Sequence, residues 1–340
     1  MALKLGLMQG YWGAQPPANL IEVAQRAEAL GYWGFFTAEA YGQDALTPLA
    51  WVGAHTKTIK LGTAIVQLSA RTPTATAMHA LTLDHLTGGR LLLGLGVSGP
   101  QVVEGWYGQP FAKPLARTRE YINIIRQVLA RQEPVSNPGP HYPIPYPEDA
   151  QGSWGLGKPL KSITHPLRAD VPIFLGAEGP RNVAMAAEIC DGWYPLYYSP
   201  TREHVYTESI KNRKDDFEII YPMQMHVTDD IDAGRLHVKK NLALYVGGMG
   251  ARDRNFHNEL IARMGFPEAA KEIQDLYLSG KKAEAVAAVP NELVDEVALV
   301  GPKDRIKQQL AAWEDSAVTG LLVWPKSDED LSLFAELVLE

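Results

Sequence analysis

The chain has 340 residues, 46% of them hydrophobic and 21% charged, the balance of a globular unit with a sizeable core. Its formal net charge of −7, with no run of Lys or Arg, removes the electrostatic basis for binding nucleic acid or an anionic membrane surface. A lone cysteine, Cys190, excludes an internal disulfide and argues against structural zinc; with no charged-then-apolar leader and no bilayer-length apolar run, it points to a cytoplasmic protein.

Taken in chain order, short apolar runs alternate with helical patterns. LKLGLMQ at 3–9 reads as a buried strand, followed by a helix over about 18–30 with Leu20, Val23, Ala24, Ala27 and Leu30 on one face and Gly31 as its C-cap. WGFFTAE gives a second strand, a helix begins near Pro48, and IKLGTAIVQ gives a third strand. Pro73 opens the next helix at its first turn and Gly88–Gly89 end it. RLLLGLGV is the fourth strand, and the next sustained helical pattern spans about 115–131, burying Tyr121, Ile124, Ile125, Val128 and Leu129.

Residues 133–170 are rich in Pro and Gly and break the rhythm, an excursion with room for a hairpin. The alternation then resumes: strand VPIFLGA, helix 180–190, strand GWYPLYY, helix about 202–214 and strand FEIIYPMQMHV. A helical stretch at about 232–289 is longer than one crossover needs. The helix of Ile306, Leu310 and Trp313, the strand GLLVWP at 320–325 and a helix over 328–338 close the chain. Alternation throughout predicts a parallel sheet covered by helices, and about eight such units suit a single-domain (β/α)8 TIM barrel over 1–340, with insertions at about 133–170 and 232–290. A doubly wound open sheet is the runner-up.

Gly94, Gly96 and Gly99 in LLLGLGVSGP spell G-x-G-x-x-G, the dinucleotide fingerprint. That motif needs the first strand–helix turn of its fold, with a helix starting at once and an acidic residue about 20 positions on. Here three strands precede it, Pro100 follows Gly99, and Glu120 falls inside a helix, so the fingerprint fails on context. At a barrel mouth the same glycines let backbone approach a flat ligand. The loop GVSGPQVVEGWYG also brings Ser98, Gln101, Glu104, Trp106 and Tyr107 together.

LGLGVSGPQVVEGWYG after strand four, LGTAIVQLSARTP after strand three, FTAEAYG after strand two and LGAEGPRNVAMAAEICDGWYP around the fifth helix resemble the bacterial-luciferase-like superfamily, and within it the coenzyme F420-dependent oxidoreductases. The resemblance implies a TIM barrel holding a flavin or deazaflavin at its strand C-termini, a cis peptide at Ala64–Ile65 backing the ring, and GAEGPRN cradling the cofactor phosphate. It assigns cofactor contact to Ala38, Ala64, Ile65, Gln67, Val97, Ser98, Gly99, Gly176, Ala177, Glu178 and Gly179, and implies a homodimer with a small-molecule substrate. Where relatives commonly carry an acidic residue and then histidine, this chain has Glu39 and Ala40, which puts a sugar-phosphate dehydrogenase activity in doubt.

F420 transfers a hydride, so the protein must hold the substrate and handle one proton. Glu39 and Glu104 are the candidate acid/base groups, each expected near the ring, where desolvation raises a carboxyl pKa. Tyr11, Trp12, Trp106, Tyr107, Trp193, Tyr197 and Tyr198 fall near strand C-termini, and Trp12, Trp106 and Tyr197 are the first candidates for the substrate pocket. The nine histidines lack ligand spacing, so no metal is expected; His226 reads as packed or capping and Cys190 as an inert buried thiol. Ser98 lacks the G-x-S-x-G elbow of a hydrolase. The 133–170 segment is a candidate lid whose Lys158, Lys161 and Arg168 could meet an anionic cofactor tail. The expected activity is hydride transfer between F420 and a carbonyl, alcohol, imine or enone. The alternatives are an FMN-dependent monooxygenase using O2 and a non-catalytic flavin-binding barrel, which would be shortened or broken.

Overall fold

Strand residues buried on both faces, such as LLLGLG at 91–96, need helices on one side and packed side chains on the other. The computed structural model, which describes residues 2–250, 252 and 255–340, supplies both. In chain order the strands are β1 (Lys4–Gly10), β2 (Gly34–Thr37), β3 (Lys60–Thr63), β4 (Val66–Gln67), β5 (Leu91–Gly96), β6 (Ile173–Gly176), β7 (Gly192–Tyr194), β8 (Glu218–Pro222), β9 (Gln224–Val227), β10 (Ala298–Gly301) and β11 (Gly320–Val323). Ring order is β3-β2-β1-β11-β8-β7-β6-β5, all parallel, and β3 closes onto β5 with Leu61 opposite Leu91. This is the closed eight-stranded TIM barrel that the alternation predicts.

The helices are α1 (Leu20–Ala29), α2 (Leu46–His55), α3 (Pro73–Leu86), α4 (Pro100–Gly105), α5 (Pro114–Ala130), α6 (Pro180–Ile189), α7 (His204–Ile210), α8 (Ile231–Ala243), α9 (Phe256–Arg263), α10 (Pro267–Leu278), α11 (Lys282–Ala287), α12 (Asn291–Val297), α13 (Lys303–Glu314) and α14 (Asp328–Leu339). The five residues expected on the buried face of α5, Tyr121, Ile124, Ile125, Val128 and Leu129, are all buried.

Met8, Phe36, Leu92, Phe174, Tyr194, Ile220 and Leu322 fill the barrel interior. Alternate strand residues, among them Leu5, Leu7, Phe35, Leu91, Leu93 and Ile173, face the helices. Glycines make the ring close: a Cβ on Gly62 would stand 2.1 Å from the Phe36 ring, and one on Gly94 1.9 Å from the Thr63 carbonyl oxygen. At that seam the Thr63 hydroxyl donates to the Gly94 carbonyl and accepts its N–H, both at 2.8 Å.

Several boundaries differ from expectation, each for a local reason. The third strand is interrupted: the Ala64–Ile65 peptide is cis, and β4 resumes beside β5 with Val66 opposite Leu95. A short helix, α4, begins at Pro100, well before α5; six residues are too few to show a helical period in sequence. The strand expected from GWYPLYY ends at Tyr194, where Pro195 has no N–H to continue the ladder. The strand expected at 217–227 divides at Met223, and its second half, β9, pairs with β10, Ala298 opposite Gln224. β10 has no signature of its own in the sequence, because ALVG continues without a break from the apolar pattern of α12. Helices α8 to α12 occupy the long helical stretch. Within 133–170 the regular pairing is one antiparallel bridge, Asn137 to Ile144, as a small hairpin would give.

Candidate active site

The strand C-termini meet at one mouth, and the loops there are tied together before any ligand is considered. Gln43 links the ends of β1 and β2, donating to the carbonyls of Gly10 at 3.2 Å and Ala38 at 3.0 Å, while its Oε1 accepts the Trp12 N–H at 3.2 Å. The Tyr107 hydroxyl, just beyond α4, donates to the Ala40 carbonyl at 3.0 Å.

Glu39 is 3% exposed and fully engaged. Arg71 donates to both of its oxygens, at 2.8 and 3.0 Å from Nη1 and 3.0 Å from Nη2. Backbone N–H groups of Gln67 (2.9 Å) and Ala45 (3.1 Å) fill the rest. Burial would lower the pKa of Arg71, but its hydrogen bonds to Glu39 and that carboxylate's charge outweigh burial and raise it. A carboxylate so occupied braces the ends of β2 and β4, a structural part in place of the acid/base part expected of Glu39. Glu104 lies exposed on α4 and does not come to the buried part of the mouth.

Of the cofactor candidates, Ile65 packs beside Gly176, and Gly96 lies against it too. The Ile65 side chain lies where a Cβ on Gly96 would come within 2.8 Å and one on Gly176 within 3.5 Å. Gly96 therefore makes room for Ile65 and not, as expected of it, for a flat ligand. Val97 is half-buried against the core, Ser98 adopts the left-handed backbone (φ 59°), and Gly99 is the extended residue before Pro100 of α4. Across the mouth, the Ala177 carbonyl accepts the Trp193 indole N–H at 2.7 Å, and Glu178 Oε1 accepts the Leu196 N–H at 2.7 Å. Gly179 precedes α6 in extended conformation, and among the described residues no side chain caps that helix.

Among the described residues, several buried polar atoms near this mouth lack a partner: Trp12 Nε1, Gln67 Oε1, Ser69 Oγ, Glu178 Oε2, Asn182 Oδ1 and His257 Nδ1. Buried polar atoms are rarely left so unless a ligand or water completes them. His257, on α9, was not singled out in the sequence; it lies some 80 positions from Glu178, and only the fold joins them.

The aromatic candidates separate. Trp12 is half-buried beside the mouth and Tyr197 is buried, its hydroxyl donating to Asn241 at 3.0 Å. Trp106 is 64% exposed, its ring tilted beside that of Tyr41. Trp193 and Tyr198 belong to the core outside the ring, packed on Tyr206. Cys190 is buried, and burial pushes its thiol up to about 12, in keeping with inertness. The lid reading of 133–170 needs correction at Arg168. Its guanidinium grips Asp84 at 2.8 Å and the Leu91 carbonyl at 2.7 Å, at the N-terminal end of β5, opposite the mouth. His226 stacks on His237 in a separate cavity of about 240 Å³, shared with Thr228, Trp324, Lys326 and Asp330. Burial chiefly, then Lys326 and His237, lower its pKa to about 4.

A closed parallel barrel with a polar, partly unsatisfied mouth at its strand C-termini is the architecture of a TIM-barrel protein with a ligand site there. The chain belongs to the luciferase-like monooxygenase family, whose model matches residues 4–320. It is 55% identical, over 99% of its length and 99% of the relative's, to a Mycobacterium tuberculosis protein provisionally named as a coenzyme F420-dependent oxidoreductase. It is 25% identical to the 5,10-methylenetetrahydromethanopterin reductase of Archaeoglobus fulgidus over 92% of each chain. Its fold matches the F420-dependent tetrahydromethanopterin reductase structure from Methanopyrus kandleri with a TM-score of 0.79 at 21% identity, covering 100% of this chain and 99% of that one.

Proposed function

We propose that the protein is a coenzyme F420-dependent oxidoreductase that moves a hydride between the deazaflavin and a small organic molecule. The observation that carries this reading is the 55% identity to the Mycobacterium tuberculosis relative over 99% of both chains, a span that includes every loop of the mouth.

The mouth fits such a cofactor on its own chemistry. A deazaflavin has an apolar face and an edge carrying both N–H and C=O groups. Ile65 offers an apolar floor, and Trp12 Nε1 and Gln67 Oε1 offer an unused donor and an unused acceptor. Ala38, Ala64, Ile65, Gln67, Val97, Ser98 and Gly99 would hold the ring, and Gly176, Ala177, Glu178 and Gly179 would lead to the phosphate at the start of α6. Bound there, the cofactor would supply a hydride donor or acceptor. The chain's own part is to hold the substrate carbon in place, exclude water and handle the accompanying proton. Glu39, locked by Arg71, would position the β2 and β4 loops.

The closed ring argues against a sequestering, broken barrel. We further propose a cytoplasmic homodimer. Exposed apolar side chains on the 133–170 segment and its flank, including Trp154, Leu156, Ile163 and Leu86, support an interface there. Among the described residues no helix is long and apolar enough to cross a membrane. The test is a paired fluorescence titration of cofactor-free protein with F420 and with FMN. Tight F420 binding and weak FMN binding are expected; the reverse order would replace this reading with the flavin monooxygenase.

A further inference from the structure

A second cleft, of about 240 Å³, lies among the segments after β8 and β11, the seventh and eighth strands of the ring. None of its walls is among the residues assigned to the cofactor. The chain builds it in three pieces. β9 leaves the ring to pair with β10, which places His226 and Thr228 on one wall. Gly234 lets α8 close on that strand: a Cβ there would stand 2.6 Å from Val300 and 2.9 Å from Thr228. One turn further along α8, His237 lies against His226, with ring centroids 5.3 Å apart and planes 17° from parallel. The turn after β11 adds Trp324 and Lys326, and α14 adds Asp330 and Phe334.

The polar groups of this cleft are mostly donors in want of acceptors. Among the described residues neither imidazole is hydrogen-bonded, and the Lys326 ammonium enters no ion pair. Asp330, the acid on the wall, is already engaged, its Oδ2 accepting the Lys326 backbone N–H at 3.0 Å. Thr228 Oγ1 is taken too, by the Asp230 N–H at 3.1 Å. Burial above all keeps His226 neutral, so it offers a ligand one N–H and no charge. The positive charge comes from Lys326, and Met225, Val227 and Phe334 complete the walls with apolar surface.

We propose that this cleft is a second binding site, separate from the mouth, for a small organic monocarboxylate. Its carboxylate would meet the Lys326 ammonium and an imidazole N–H, and its hydrocarbon body would lie on Val227 and Phe334. Three features narrow the class. The volume falls below the roughly 300–1,000 Å³ of sites for drug-sized molecules, so the occupant is small. One ammonium, with the Asp330 carboxylate on the same wall, suits a single negative charge better than two. TIM barrels often hold phosphate after their last two strands, but here the helix N-termini that would serve it are filled. Asp230 caps α8 by accepting the Ala233 N–H at 3.0 Å, and Ser327 caps α14 by accepting the Asp330 N–H at 3.1 Å.

The test is an NMR titration of the full-length, histidine-labelled protein with benzoate. Benzyl alcohol serves as the neutral body, and inorganic phosphate as the anion without a body. His226→Gln and His237→Gln assign the two ring signals. Benzoate should shift both saturably and bind at least about 10-fold more tightly than benzyl alcohol or phosphate, the worth of one charge-assisted hydrogen bond. Lys326→Met, a change at an exposed side chain, should weaken benzoate about 10-fold or more and leave the thermal midpoint unmoved. Ala233→Phe, at another exposed position, fills the cleft and should abolish the shifts. Absence of a saturable shift with benzoate overturns the proposal, as does equal affinity for benzyl alcohol or for phosphate. A benzoate affinity that Lys326→Met or Ala233→Phe leaves unchanged overturns it as well. None of these outcomes depends on whether F420 binds at the mouth.

Discussion

Two carboxylates stand at the same mouth and are used differently. Glu39, between β2 and β4, has every oxygen lone pair answered by Arg71 or backbone N–H. Glu178, after β6, has one oxygen answered and one held 3.7 Å from an equally unused imidazole nitrogen. A carboxylate that is saturated braces the fold; one left half-saturated keeps an oxygen for a further hydrogen bond. Proximity to a strand C-terminus does not distinguish the two. The partners do.

The sharpest break of this contrast is stability. Glu39→Ala leaves the Arg71 guanidinium, 17% exposed, without its main partner and should destabilise by about 3 kcal/mol. That lowers Tm by about 4 °C, measured by thermal melting. Glu178→Gln removes no satisfied bond, so its thermal midpoint should move by less than about 1 kcal/mol's worth. Equal losses in the two variants would end the distinction.

A pH series sharpens it from another side. His226 has its pKa lowered to about 4 in the fold, against 6.5 as the ordinary value, so it is neutral when folded at neutral pH. The unfolded chain takes up a proton there first; stability from this group is full above about pH 6.5 and is lost as pH falls toward about 4. Urea midpoints at about pH 7.5 and about pH 5 should therefore fall further for wild type than for His226→Gln. Equal falls would mean that His226 is not desolvated.

Smaller effects are expected where a carboxylate or an apolar group faces water. Glu104→Gln should leave F420 affinity and turnover within about two-fold, since the side chain lies exposed on α4. A large loss would return Glu104 to the site. Trp154→Ser and Ile163→Ser, at 91% and 95% exposed, should shift the stability of a monomer by no more than about 0.5 kcal/mol. Sedimentation of the same variants reports on the dimer: dissociation on substitution supports the interface, and an unchanged dimer moves it elsewhere.

The barrel was legible in the sequence because strand and helix periods alternate, and because ring strands buried on both faces read as unbroken apolar runs. The break in the third strand was legible at Ala64–Ile65 only through a family resemblance. What sequence left out is pairing between distant residues. Glu39 looked like a free acid because Arg71 lies 32 positions away, and His257 was passed over because α9 reaches Glu178 only after the chain has returned across the mouth. Gly96 looked like ligand space, and its void is filled by Ile65. The fold of α4 and β10 escaped because four to six residues carry no periodicity of their own.

The most direct test of the account is a crystal structure of the protein with F420 bound. The account predicts the deazaflavin at the mouth, its face on Ile65, its polar edge on Trp12 Nε1 and Gln67 Oε1, and its phosphate at Gly179 and the first turn of α6. F420 bound elsewhere, for example in the cavity of His226 and His237, or a mouth that takes FMN in preference to F420, would contradict it.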